Sequence, residues 1–261
     1  MTISTLLQAH DLENPGIAVL TFNRPEAHNA LTTETMIAFA EAVDSLAAQD
    51  GLCAVILTGA GEKAFCSGAD IAEMAALTSE ADAIDMITRM GEALIKLERL
   101  PVPVIAAING HALGGGAEIA MACDLRIIDA GARLGFVQIR RGLIPGWGGG
   151  QRLLRQVGYG RAIDILLRGQ VLNADELVAL GLATEIATHG QALISAVLRA
   201  REIAAQDAEA VRAMKVLLQA GLNHPYHDAL MMERALFPPL WAGETRLSSM
   251  RSFLKEKGTR E

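Results

Sequence analysis

Hydrophobic and polar positions along this chain follow two periods, and the switches between them outline the elements. Leu6–His10 and Ile17–Phe22 alternate with period two around Asn14-Pro15-Gly16, which predicts a hairpin. Thr33–Ala48 places Met36, Phe39, Ala40, Val43, Leu46 and Ala47 at helical spacing. Ala54–Thr58, apolar through Leu57, is read as a short buried strand ended by Gly59-Ala60-Gly61. Ser79–Leu100 reads as a long amphipathic helix stopped by Pro101 and Pro103, and Val104–Ile108 as the next strand. A glycine turn, Gly114-Gly115-Gly116, then leads into an apolar helix containing Ile119, Ala120, Met121 and Ala122, and Asp124–Asp129 is strand-like again. Asn173-Ala174-Asp175-Glu176 has capping-box spacing, with Gly181 at the far end of a short helix. From Gln191 onward the pattern is mostly helical, with breaks expected at Asn223-His224-Pro225 and at Pro238-Pro239.

Strands alternating with helices through about residue 190 indicate an α/β core. The expected organisation is a core over 1–195 and a packed helical extension over 196–261, with no low-complexity linker and no short repeat. The 261 residues are 51% hydrophobic, enough for a sizeable core, but only 4% aromatic, so Ala, Leu, Ile, Val and Met must fill it. A formal net charge of -7 argues against general nucleic-acid binding, which needs a basic face. Cys53, Cys66 and Cys123 show neither metal-site spacing nor a disulfide framework. The first residues lack a basic stretch followed by an apolar run, and every apolar stretch is broken well short of a membrane span. A soluble, cytoplasmic protein without membrane contact is expected.

The glycine turn carries the most chemical information. Without a Cβ, its residues let a ligand approach the backbone. The first N–H groups of the helix have no internal partner and carry the positive end of its dipole. Such a terminus suits an anion, or an oxygen that becomes anionic during a reaction. Glu118 follows Gly115 by three residues, roughly one turn, so its carboxylate falls on the same side as that N–H. A charge acceptor with a carboxylate beside it suits proton chemistry next to a carbonyl; the plainer alternative is a tight turn into a core helix. Gly68-Ala69-Asp70 presents a second N–H, from Ala69, or is an ordinary loop. Both turns follow predicted strands, so in a parallel sheet both open at one edge. Gly59-x-Gly61-x-x-Ala64 imitates a dinucleotide fingerprint, but another turn follows where that motif requires a helix.

Several motifs in order resemble the crotonase, or enoyl-CoA hydratase/isomerase, superfamily. They are Asn23-Arg24-Pro25-Glu26-Ala27-His28-Asn29-Ala30-Leu31, FCSGADI at 65–71, NGHALGGGAEIAMACDLRI at 109–127, Gly142-Leu143-Ile144-Pro145-Gly146, and the tail Ser252-Phe253-Leu254-Lys255-Glu256-Lys257. The resemblance covers nearly the whole chain. It implies a spiral of ββα units with a C-terminal helical trimerisation region, and a homotrimer or dimer of trimers. It implies an acyl-CoA thioester substrate whose carbonyl oxygen lies between the N–H groups of Ala69 and Gly115. The CoA moiety would run past Ala27, His28, Ser67, Ala69, Asp70 and Ile71. No metal or redox cofactor is expected, coenzyme A being part of the substrate. Glu118, near a helix start, is expected to remain a carboxylate and to serve as base, then acid.

One position departs from the family pattern. The second glutamate of the hydratases falls on Gln138, which holds a water or a carbonyl by hydrogen bonds but does not exchange protons near neutral pH. One-acid chemistry with Glu118 is therefore the expectation. Phe136-Val137 and Pro145-x-Trp147-Gly148-Gly149 also resemble the ethylmalonyl-CoA decarboxylase branch, in which Gln138 would be compatible. Decarboxylation of a malonyl-type CoA is thus the alternative, and a catalytically inactive binding protein of the same fold is a third reading. Trp147 either lines the acyl pocket or packs beneath the Gly148-Gly149-Gly150 turn. His111 is read as a packing residue, and His189 receives no role.

Overall fold

The computed structural model describes residues 4–258, with side chains through Lys255; the Lys257 side chain and residues 259–261 of the expected helical extension lie outside it. The chain divides into two compact units, one ending at Glu202 and the other beginning at Ile203. In chain order the first contains β1 (Leu6–His10), β2 (Ile17–Phe22), α1 (Thr33–Ala47), β3 (Ala54–Gly59), β4 (Ala64–Cys66), α2 (Ile71–Ala76) and α3 (Glu80–Glu98). It continues with β5 (Val104–Ile108), β6 (His111–Leu113), α4 (Gly115–Ala122), β7 (Leu125–Asp129), β8 (Arg133–Gly135), α5 (Gly149–Val157) and α6 (Tyr159–Arg168). β9 (Val171–Asn173), α7 (Ala174–Ala179), β10 (Glu185–Ala187) and α8 (Ala192–Ala204) follow.

Two sheets organise this unit. The larger has the order β1-β2-β3-β5-β7-β10, antiparallel between β1 and β2 and parallel elsewhere. β3 and β5 are buried at every position, as a strand covered on both faces must be, β5 as an unbroken apolar run and β3 apolar through Leu57. α1 buries Met36, Phe39, Val43 and Leu46, the i, i+3, i+7, i+10 stripe that the sequence displays. Phe22 meets Phe65 edge-on at 5.8 Å between centroids. Burying each such side chain contributes about 1.5–3 kcal/mol. α3 starts on a Ser79/Asp82 capping box, and α7 on the Asn173/Glu176 box read from the sequence.

The smaller sheet, β4-β6-β8-β9, is absent from the periodicity. Its strands are three residues each, too short to display a period. It changes where the two turns originate. They leave the ends of β4 and β6, which pair in parallel, rather than the long strands β3 and β5. The Gly59/Gly61 turn is followed by β4, so no helix starts where a dinucleotide motif would need one.

The second unit contains α9 (Ala208–Asn223), α10 (Tyr226–Ala242) and α11 (Glu244–Gly258). Asp207 caps α9 by accepting from the Ala210 N–H at 2.9 Å, and also accepts from Thr245 Oγ1 at 2.6 Å. The expected break at Asn223-His224-Pro225 separates α9 from α10. The expected break at Pro238-Pro239 does not occur; α10 runs through both prolines and ends before Gly243. The prolines lie near its end, so few amide bonds are lost. Phe237 and Trp241, one turn apart across them, stay in ring contact at 5.7 Å. Met214, Leu218, Leu222, Phe237 and Trp241 are all exposed on this unit. None of the described helices is long and apolar enough to cross a membrane.

Candidate active site

The glycine turn ends β6 and opens α4. Gly114 precedes the helix at φ 57, ψ −119, a backbone state that side chains disfavour, and its N–H donates to the Gly135 carbonyl at 2.9 Å. Gly68, after β4, has φ 96, and a Cβ placed on it would sit 3.0 Å from the Gly115 nitrogen. The two turns are therefore in direct contact. Leu31 pairs with the second turn, its N–H donating to the Gly68 carbonyl and its carbonyl accepting from Asp70 N–H, each at 2.8 Å. By strand alternation the Ala69 N–H then faces away from Leu31. Among the described residues, neither the Ala69 nor the Gly115 N–H donates to a protein acceptor.

At Gly115 and Gly116 the missing side chains make room for protein. A Cβ on Gly116 would lie 1.9 Å from the Cys66 carbonyl oxygen, so α4 is pressed against β4. A Cβ on Gly115 would lie 2.2 Å from Cζ3 of Trp147, whose six-membered ring occupies that space. What the turn presents to the outside is its unused amides.

Glu118 sits in the first turns of α4 and is only 2% exposed. Its Oε2 accepts from the Trp147 and Gly149 N–H groups at 2.8 and 2.9 Å. Its Oε1 accepts from Gln138 Nε2 at 2.9 Å and from the Gly146 N–H at 3.3 Å. Burial pushes the carboxyl above its ordinary value, against the opposing pull of these donors, because all four are neutral and no cation is among the causes. The loop closes this tightly only because it is glycine-rich: a Cβ on Gly149 would meet Glu118 Cγ at 2.5 Å. Each carboxylate oxygen accepts from two N–H groups, and the longer Gly146 contact leaves Oε1 the more weakly held of the two.

Gln138 opens a 3-10 turn over Gln138–Arg141. Its Nε2 serves Glu118, while its Oε1 is buried and has no hydrogen-bond partner among the described residues. A buried acceptor left unpaired costs about 1–3 kcal/mol, so its presence beside Glu118 calls for a donor from outside the protein.

The remaining expected residues lie along one ridge. A 3-10 turn ends at Ala27, and the exposed His28 follows at φ 52; its carbonyl accepts from the Ser67 N–H at 3.1 Å. Asp70 caps α2 by accepting from the Ala72 N–H at 3.0 Å and pairs with Arg24 at 2.8 Å. The Arg24 hydrogen bond is the main reason its carboxyl lies below the ordinary value. Ile71 is exposed at the start of α2. Trp147 stands apart from this ridge, 4% exposed and against Gly115. Its loop is pinned by Arg152, which donates to the Trp147 carbonyl at 2.6 Å and to both oxygens of Glu98 at 2.7 and 2.9 Å.

Two features escaped the sequence. His111 does not pack; it is exposed, and with His28, Asp129 and His189 it lines a cavity of about 270 Å³ that excludes Glu118. His189 pairs with the buried Asp129 at 2.8 Å, a contact across sixty residues that no local motif announces. The amides around Glu118 were equally silent, although the glycine density at 146–150 was their visible trace. Among the described residues no group of His, Cys, Asp and Glu could hold a metal ion.

The sequence profile of the enoyl-CoA hydratase/isomerase family matches residues 13–260. The chain is 37% identical to the short-chain-enoyl-CoA hydratase of Clostridium acetobutylicum, over 94% of each protein. It is 34% identical to the ethylmalonyl-CoA decarboxylase of Gallus gallus, over 91% of this chain and 80% of that one. The crystal structure of an enoyl-CoA hydratase from Bacillus anthracis superposes with a TM-score of 0.91 at 33% identity, covering 97% of both chains.

Proposed function

Because the chain belongs to the enoyl-CoA hydratase/isomerase family, we propose that it adds water to, or moves a proton within, enoyl-CoA thioesters, with Glu118 as the acid/base. The observation that supports this is a buried carboxyl raised above its ordinary value, with Oε1 its more weakly held oxygen and the unpartnered Gln138 Oε1 on the adjacent amide. A water between them donates one hydrogen to each. Its oxygen attacks Cβ of the substrate, one of its protons passes to Glu118 Oε1, and the Cα=Cβ electrons move onto the thioester oxygen. The resulting enolate is held by the Ala69 and Gly115 N–H groups; losing one such donor costs about 3 kcal/mol in comparable enzymes. Glu118 Oε1–H then returns the proton to Cα. In isomerisation the same oxygen removes a proton from one carbon and delivers it to another.

The CoA portion lies along the ridge of Ala27, His28, Ser67, Ala69, Asp70 and Ile71, mostly on backbone groups, and Trp147 lines the acyl side. No separate cofactor takes part. The helices over 196–261 join copies of the chain into a trimer or a pair of trimers, a reading supported by the exposed Met214, Leu218, Leu222, Phe237 and Trp241.

Decarboxylation of a malonyl-type CoA is the second reading, favoured by the 34% identity to the Gallus gallus enzyme and by an amide at position 138. An assay of crotonyl-CoA, a 3-enoyl-CoA, and ethyl- and methylmalonyl-CoA on wild type and Glu118→Gln separates them. Hydration or isomerisation abolished by the variant is the expected result. Carbon dioxide release selects the decarboxylase, and CoA-ester binding without any turnover selects a binding protein.

A further inference from the structure

On the acyl side of the site, Trp147 is held against the glycine turn. Its ring lies against the Cα of Gly115, three of its atoms falling 2.2–2.9 Å from where a Cβ would be. Its main-chain N–H holds Glu118 Oε2 at 2.8 Å. The residue therefore bridges the two halves of the site, its ring against the turn whose amide would hold the thioester oxygen and its backbone on the acid that would act on Cα and Cβ. Neighbouring surfaces are also apolar: Ile87 Cγ2 is 3.0 Å from the Cβ position of Gly146, and Phe136 packs on Gly149 beside Glu118. The ring has little freedom to leave. It is almost wholly buried, and the Arg152 bonds to its carbonyl and to Glu98 fix the loop behind it.

We propose that Trp147 is a specificity-determining residue that limits the acyl chain to crotonyl-like length. The inference rests on the acyl-CoA reading above and adds a substrate class to it. A thioester seated on Gly115 with its Cα and Cβ at Glu118 Oε1 runs along the indole, and carbons beyond Cβ meet the ring. Close-packed interiors resist such overfilling, because neither a pinned indole nor the helix beneath it yields cheaply.

The test compares kcat/KM for crotonyl-CoA and dec-2-enoyl-CoA in wild type, Trp147→Phe and Trp147→Ala. Pocket contacts discriminate by about 10-fold or more, so wild type is expected to favour crotonyl-CoA by at least that factor. Trp147→Ala should shrink the preference by a similar factor, with Trp147→Phe between. Equal use of both esters by wild type, or an unchanged ratio in a folded Trp147→Ala, overturns the proposal. If Trp147→Ala does not fold, the Phe variant decides by the same ratio. Should wild type turn over neither ester, the catalytic reading has failed by itself. Calorimetric binding of butyryl-CoA against decanoyl-CoA then judges the length limit, with equal affinities overturning it.

Discussion

The chain builds nearly the same turn twice and uses its acid differently each time. After β4 and after β6, a three-residue strand ends in a glycine of positive φ, an unused amide follows, and a helix begins with a carboxylate nearby. Asp70 stands just outside α2, where it caps that helix and meets Arg24. Glu118 stands inside α4, one turn along, where the helix carries it under the 146–149 loop and only neutral groups reach it. The first carboxyl is consequently held below its ordinary value and the second above it. A shift of a few residues within one motif separates a structural acid from one poised to exchange protons, because a counter-charge stabilises the anion and burial without one does not.

The sharpest way to break this contrast is Glu118→Gln. An amide fits the site, since Gln138 can turn its own amide to accept from it. Turnover of crotonyl-CoA should fall about 10²–10⁴-fold, the usual contribution of a general acid–base, while CoA-ester affinity measured by calorimetry persists. Gly115→Ala comes next. The added methyl meets the Trp147 ring, and overpacking of this kind costs about 1–3 kcal/mol in denaturant unfolding. In a Trp147→Ala background the same methyl should cost little further stability, and this non-additivity measures the contact. Asp70→Asn should cost about 1 kcal/mol or less in stability, as asparagine still caps α2 but loses the Arg24 pairing. Its effect on kcat should be far smaller than that of Glu118→Gln, and an equal loss would erase the distinction drawn here.

The smallest effect is on the pH dependence of stability, where the two acids have opposite signs. A carboxyl raised by folding binds its proton more tightly in the folded state. Glu118 therefore makes wild type lose stability as pH climbs from the ordinary carboxylate value through its folded value, and Glu118→Gln should flatten that slope. Asp70, held low, contributes stability that is present above its unfolded pKa and lost on acidification through the folded one, so Asp70→Asn should weaken the acid side. Urea unfolding across pH for the three proteins checks both signs. The acidic limb of kcat/KM should likewise lie above the ordinary glutamate range of about 4.3.

Much of this was legible beforehand. The hairpin, α1, α3, β5 and the α7 capping box all follow from spacing and cap residues within a few positions of one another. The turn at Gly114 and the placement of Glu118 one helical turn after Gly115 were equally plain. The smaller sheet was not, because a three-residue strand is held by its neighbours rather than by its own pattern. The prolines of α10 misled for the opposite reason, a strong local signal that costs little so near the end of a helix.

By itself, then, the sequence determined which acid stands at a helix start and where the backbone bends sharply enough to leave amides unused. Only the tertiary structure decided that Glu118 would be closed in by amides about thirty residues away, that no cation would reach it, and that an indole would fill the space beside Gly115. Backbone conformation responds to immediate chain neighbours. Desolvation and electrostatic balance respond to whatever the fold brings within a few ångströms, and those groups come from anywhere in the chain.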